Sequence, residues 1–129
     1  MTDDWGTPDW LMSLFDEYYD PCPLGGIKTR DGLSESWADF YDKIYINPPY
    51  SNPKPWIEKA IREFEIGQSE DWWGEKMTIV LLLKHDSSTQ WYRMLKEAGA
   101  RFLMIEGRLT YKGENSRPCS FPSILAVLS

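Results

Sequence analysis

The tetrapeptide Asn47-Pro48-Pro49-Tyr50 has the spacing in this chain that most suggests chemistry, and it directly follows the apolar run Ile44-Tyr45-Ile46. Each proline fixes its own φ and drives the residue before it toward extended backbone, so the turn is stiff. A stiff turn can aim the Asn47 side-chain oxygen and a backbone carbonyl at one point. Two acceptors at one point hold both hydrogens of an amino group and leave its lone pair directed at an electrophile. Tyr50 adds a ring on which a base can stack. An aromatic amine is a poor nucleophile because its lone pair is delocalised, and acceptors on its hydrogens favour the tetrahedral nitrogen that attacks. If the electrophile is a methyl already activated on a sulfonium, the protein mainly supplies alignment. No strong general base is needed, since the proton can leave afterwards. Two prolines and an asparagine also make an ordinary turn. The position between an apolar strand and an amphipathic helix favours the chemical reading.

The elements that would position this turn alternate. Thr7-Pro8 reads as a capping residue and an initiating proline before a short helix at residues 9–17, with Trp10, Leu11, Leu14 and Phe15 on its apolar side. Residues 18–22 read as a short strand ending in the turn signal Pro23-Leu24-Gly25-Gly26, and residues 27–42 as mostly loop, with one helical turn near 34–40. Residues 43–46 form a strand stopped by Asn47-Pro48-Pro49. Trp56, Ile57, Ala60, Ile61 and Phe64 recur at helical spacing over residues 53–66, and Gly67 is a natural stop. Residues 77–83 are the best strand candidate, residues 87–98 a helix ending at Gly99, and residues 101–105 and 123–128 further strands. Alternation of this kind predicts a three-layer α/β fold with a mostly parallel sheet. Ligands in such folds bind beyond the carboxyl ends of the strands, where Asn47 stands.

Composition limits the alternatives. A chain of 129 residues with 42% hydrophobic and 26% charged residues suits a single globular domain over residues 1–129. The longest apolar run, from Met77 to Leu83, is too short to span a membrane, and the acidic N-terminus lacks the pattern of a secretory signal. These features point to a cytoplasmic protein. Cys22 and Cys119 are the only cysteines and His85 the only histidine, so the expectation is free thiols and no metal. A net charge of −6 argues against nonspecific nucleic-acid coating. The charge is uneven, however: residues 1–83 hold 7 Lys/Arg against 16 Asp/Glu, and residues 84–129 hold 7 against 4. A basic final third can face phosphates, or be a chance imbalance.

Taken in order, the motifs resemble one family, the phage-type, Dam-like DNA adenine-N6 methyltransferases. The series runs from Trp5-Gly6-Thr7-Pro8 through Asp20-Pro21-Cys22 and Asp31-Gly32-Leu33 with Trp37. It continues with Asn47-Pro48-Pro49-Tyr50-Ser51 followed by Trp56 and Lys59-Ala60, then Leu81 to Asp86 and Trp91-Tyr92, and closes with Gly107-Arg108-Leu109 and Phe121-Pro122-Ser123. Each piece is weak and the ordered set is specific. The resemblance implies transfer of a methyl from S-adenosylmethionine to the N6 amino group of adenine in DNA, and a viral or prophage source in a bacterial or archaeal host. It implies that Asn47, Pro48, Pro49 and Tyr50 hold the target adenine. Trp5, Thr7, Pro8, Asp20, Pro21, Cys22, Asp31 and Asn47 would meet the cofactor, with Thr7 and Pro8 on its methionine part and Asp31 on its adenosine part. Ser51, Lys54, Lys84, Arg108, Lys112 and Arg117 are the candidate DNA contacts. Asp20, Asp31 and Arg108 also have plain readings as turn formers and a surface cation.

Two departures from the usual Rossmann-like methyltransferase pattern bear on the fold. The glycine-rich cofactor loop of Rossmann-like methyltransferases is absent, and Asp20-Pro21-Cys22-Pro23-Leu24-Gly25-Gly26 stands in its place. Only about twenty residues separate that segment from Tyr45, too few for the usual further strands and helices. The expectation is a truncated Rossmann-like fold of about five strands with an antiparallel last strand and no separate target-recognition domain. Sequence specificity would then come from short loops, at residues 67–76 or 107–120, or from a second copy of the chain. Two other functions remain open: amino-group methylation of RNA or protein glutamine, and a catalytically inactive module that binds nucleic acid or cofactor.

Overall fold

The computed structural model describes residues 7–22, 32–49, 52–70, 77–84, 86, 89–105 and 122–129. Among them are α1 (Asp9–Met12), continued by a 3-10 turn (Ser13–Phe15), then β1 (Lys43–Ile46), α2 (Lys54–Glu70), β2 (Thr78–Lys84), α3 (Gln90–Glu97), β3 (Arg101–Met104) and β4 (Ser123–Leu128). The strands form one mixed sheet in the order β1-β2-β4-β3. β1 pairs parallel with β2, Ile46 opposite Leu81. β4 pairs antiparallel with both β2 and β3.

The antiparallel last strand agrees with the expectation. A mostly parallel sheet holds for strand direction but not for pairing, because β4 enters between β2 and β3 and makes both of its own ladders antiparallel. The expected first strand at 18–22 contributes only one parallel bridge, Tyr19 to Ile44, in which Tyr19 N–H donates to Lys43 O and Tyr45 N–H to Tyr19 O, each at 2.9 Å. Pro21 lacks the N–H that would continue that ladder.

The layers follow from strand alternation. Ile44, Ile46, Ile79, Leu81, Leu83, Ile124, Ala126 and Leu128 face one side and pack with Ile57 and Ala60 of α2 and Leu95 of α3. Tyr45, Val80, Leu82 and Leu125 face the other, against Leu11, Met12 and Phe15. Apolar side chains on both faces of β2 account for its near-continuous hydrophobic run.

Several local expectations need correction. The helix expected over residues 9–17 is α-helical only over Asp9–Met12, and Trp10 and Leu14, expected on its apolar side, are exposed. Thr7 does not cap α1: the N-cap is Pro8, with no side-chain capping bond, and the Thr7 hydroxyl reaches the sheet instead. α2 does not stop at Gly67 but runs to Glu70. Gly67 serves packing, since a Cβ there would lie 2.6 Å from Met77 Sδ and 2.9 Å from Met77 Cβ. α3 begins at Gln90 rather than 87, where Thr89 Oγ1 accepts from Tyr92 N–H at 3.3 Å. Gly99, at φ 87°, ends it as expected.

Candidate active site

The carboxyl edge of β1 gathers the motifs. Strand β1 ends at Ile46, so Asn47 emerges at that edge with Pro48 buried behind it. Because Tyr19 is bridged in parallel to Ile44, Asp20, Pro21 and Cys22 leave the sheet at the same edge. Thr7, forty residues before Asn47, is brought onto it: Asn47 Nδ2 donates to Thr7 Oγ1 at 3.3 Å. Thr7 Oγ1 also lies 2.9 Å from the Tyr45 hydroxyl. The N-terminal Thr-Pro pair and the Asn-Pro-Pro turn are thus one site.

Asp20 has the turn role expected of an Asp before Pro, its Oδ1 accepting from Cys22 N–H at 2.8 Å. That turn rests on a built support. Gly32 is packed so closely on it that an added Cβ would run into the Pro21 carbonyl oxygen and lie 3.0 Å from Trp56 Cη2. Trp37 Nε1 donates to Gly32 O at 2.9 Å, and the Trp37 ring stacks on Trp56, with centroids 6.5 Å apart and planes at 18°. Trp37 is in turn tied to α2. Glu63 Oε1 accepts from the backbone N–H of Trp37 and, at 2.9 Å, of Ala38. Lys59 Nζ lies 3.7 Å from Glu63 Oε2 and 5.5 Å from the centre of the Trp37 ring, with both charged side chains buried. A buried ion pair is tolerated when its remaining acceptors are used, as these are. Tyr19 adds a second strut, its hydroxyl donating to Glu35 Oε1 and its ring stacked on Tyr41 at 3.7 Å.

Of the expected site residues, Thr7, Pro8, Asp20, Pro21, Cys22, Asn47, Pro48 and Pro49 are described and belong to this edge. Trp5, Asp31, Tyr50, Ser51, Arg108, Lys112 and Arg117 lie outside the described residues, as do the loops at 71–76 and 106–121. Lys54, exposed in the first turn of α2, and Lys84, exposed at the end of β2, are both on the carboxyl side. The basic final third is therefore divided. Arg101 opens β3 at the opposite edge, where it donates to Ser129 Oγ at 2.7 Å, and Lys96 sits in the last turn of α3 just before it. Sequence reasoning missed Tyr45 and Glu63. A tyrosine on a core strand and a Lys-Glu pair four apart beside apolar helix positions were the available signals.

Fold and site together define a class: an α/β domain that presents an acceptor-bearing turn, a hydroxyl and a carboxylate at the carboxyl edge of its strands, the ligand-binding edge of such sheets. Comparison with known proteins gives the family. The chain belongs to the family described as DNA N-6-adenine-methyltransferase (Dam), whose profile matches residues 1–120. It is similar to the DNA N-6-adenine-methyltransferase of Haemophilus phage HP1 (strain HP1c1), 29% identical over 104 residues, covering 70% of this chain and 54% of that protein. It is also similar to the protein of the same description from Escherichia phage T1, 33% identical over 118 residues, covering 82% of this chain and 46% of that protein. The chain thus spans about half the length of these relatives. No solved structure matches it significantly.

Proposed function

We propose that this chain transfers a methyl group from S-adenosylmethionine to the N6 amino group of adenine in DNA, and that residues 1–129 act as one truncated Rossmann-like methyltransferase unit. The Tyr19 bridge then marks a vestigial fifth strand beside β1. The observation that carries the reading is the Asn47–Thr7 hydrogen bond, which joins the amine-holding turn to the Thr-Pro segment at the carboxyl edge.

The donor set suits the cofactor. Thr7, Pro8 and the turn at Asp20-Pro21-Cys22, together with Trp5 and Asp31, would hold it, with the Asp20 carboxylate and the Thr7 hydroxyl as the acceptors for its α-ammonium group. When bound it supplies a methyl activated on a sulfonium. The chain's own residues do the rest. Asn47 Oδ1 and the Pro48 carbonyl accept the two hydrogens of the target amine and turn its lone pair outward. Tyr50 stacks on the adenine ring, worth roughly 1–3 kcal/mol for a base on an aromatic side chain. In duplex DNA the adenine is flipped out of the stack first. Lys54 and Lys84, with Ser51, Arg108, Lys112 and Arg117, contact the DNA, and a second copy of the chain can contribute to target choice. The protein acts in the cytoplasm of a bacterial or archaeal host. Among the described residues no helix is long and apolar enough to cross a membrane.

The test is transfer of labelled methyl from S-adenosylmethionine to DNA, ribosomal RNA and protein substrates offered in parallel. Label in DNA alone is expected. Label in RNA or protein and not in DNA overturns the substrate.

A further inference from the structure

Tyr45 lies in the middle of β1 with no exposed surface. Its ring stacks on Phe15, centroids 4.7 Å apart and planes at 17°, and packs with Leu11, Val80, Leu82 and Leu125. Such a position asks only for an apolar ring, whereas a buried phenol also needs a hydrogen-bond partner. The partner is Thr7 Oγ1 at 2.9 Å, and the same oxygen accepts from Asn47 Nδ2 at 3.3 Å. The two bonds lead from the core to the turn that carries the chemistry.

A primary amide has an acceptor branch and a donor branch, and only the first can hold an amine by its hydrogens. With Nδ2 bound to Thr7, Oδ1 is the branch turned away from Thr7. An amide rotated the other way would set NH2 against NH2. We infer that Tyr45 is a positioning residue: through Thr7 it fixes the orientation of the Asn47 amide so that Oδ1 is the atom offered to the target amine. The inference rests on the reading of Asn47 as the amine-holding residue. Phenylalanine at 45 keeps the ring packing and removes the anchor. With the Thr7 hydroxyl donating to the Tyr45 oxygen in the parent, loss of that oxygen frees the hydroxyl to donate toward Asn47 and favour the reversed amide. A carboxylate has two equivalent oxygens and no reversed orientation, so Asn47→Asp should make the Tyr45 hydroxyl dispensable.

The experiment compares the full chain, Tyr45→Phe, Asn47→Asp and the double variant by steady-state DNA methylation and thermal unfolding, with the Asn47 side-chain amide followed by 1H–15N NMR and assigned by its disappearance in Asn47→Asp. Tyr45→Phe is expected to leave both KM values close to those of the parent, to lower the unfolding temperature by no more than about 3–5 °C and to lower kcat about five- to tenfold, the size of one lost hydrogen bond. Its Asn47 amide resonances should shift or broaden. In the Asn47→Asp background the same change should alter kcat by less than about twofold. Unchanged kcat in Tyr45→Phe, an equal loss in both backgrounds, or unaltered Asn47 resonances would overturn the inference. A purely structural role would instead lower the unfolding temperature by more than that one bond accounts for, or raise KM, with kcat unchanged. If the parent methylates no DNA, the proposed function fails, and the amide resonances alone still decide whether Tyr45 sets the orientation. They also decide it if Asn47→Asp has no measurable turnover.

Discussion

Replacing Gly32 by alanine should damage the Asp20–Cys22 turn and the stability of the domain together. The backbone at Gly32 is outside the left-handed region, so the cost is steric rather than conformational. The new methyl would collide with the Pro21 carbonyl oxygen and sit 3.0 Å from both Pro21 C and Trp56 Cη2. Neither wall yields easily. Pro21 is flanked by the Asp20–Cys22 turn, Trp56 is stacked on buried Trp37, and Trp37 Nε1 is bonded to Gly32 O itself. Overpacking a well-filled site costs about 1–3 kcal/mol, and the backbone contact argues for the upper part of that range. For a domain of this size each kcal/mol lowers the unfolding temperature by about 3–5 °C, so a fall of roughly 6–15 °C is expected. Because Asp20 moves with Pro21, affinity for S-adenosylmethionine, measured by calorimetry below the transition, should weaken as well. Gly99→Ala is the control. Nothing lies within 4 Å of its added Cβ, and its φ of 87° makes the cost conformational, about 1 kcal/mol, with cofactor affinity unchanged. If Gly32→Ala matches the parent in both measurements, the packing of the Asp20 turn on Gly32 is not what supports the site.

Glu63→Ala leaves Lys59 buried without its partner and removes the acceptor for two backbone N–H groups. A loss of about 3–5 kcal/mol in urea unfolding is expected, with a smaller loss for Glu63→Gln, and a change under about 1 kcal/mol would refute the role assigned to the pair. Lys54→Ala and Lys84→Ala should each weaken DNA binding and lower the magnitude of the log–log salt slope by about 1, whereas Lys96→Ala and Arg101→Ala, on the opposite edge, should leave it unchanged. Equal effects at both edges would mean that DNA does not lie across the carboxyl edge.

Strands β1 and β4 and the end of α3 at Gly99 were legible in the sequence because each is marked by local chemistry: a β-branched run, a proline stop, a glycine beyond the last helical residue. Sheet order was not, since insertion of β4 between β2 and β3 is a long-range choice that no local pattern encodes. The misread glycine shows the same limit. Gly67 has the spelling of a helix stop, yet its position in α2 is explained by Met77, ten residues on. At the site, Asn47 and Thr7 were each visible as motifs, and their meeting required the fold. Tyr45 was invisible as a functional residue because a strand aromatic is normally core, and it is core here as well. The placement of its hydroxyl against Thr7 distinguishes it from phenylalanine.

Mass spectrometry of nucleosides from DNA incubated with the full chain and S-adenosylmethionine, set beside Asn47→Ala, decides whether the chain methylates adenine through Asn47. N6-methyladenine is expected with the parent and none above background with Asn47→Ala, while thermal unfolding of the variant stays within a few degrees, about the effect of one partly exposed hydrogen bond. N6-methyladenine formed equally by Asn47→Ala, or no methylated base from a parent that binds the cofactor, would contradict it.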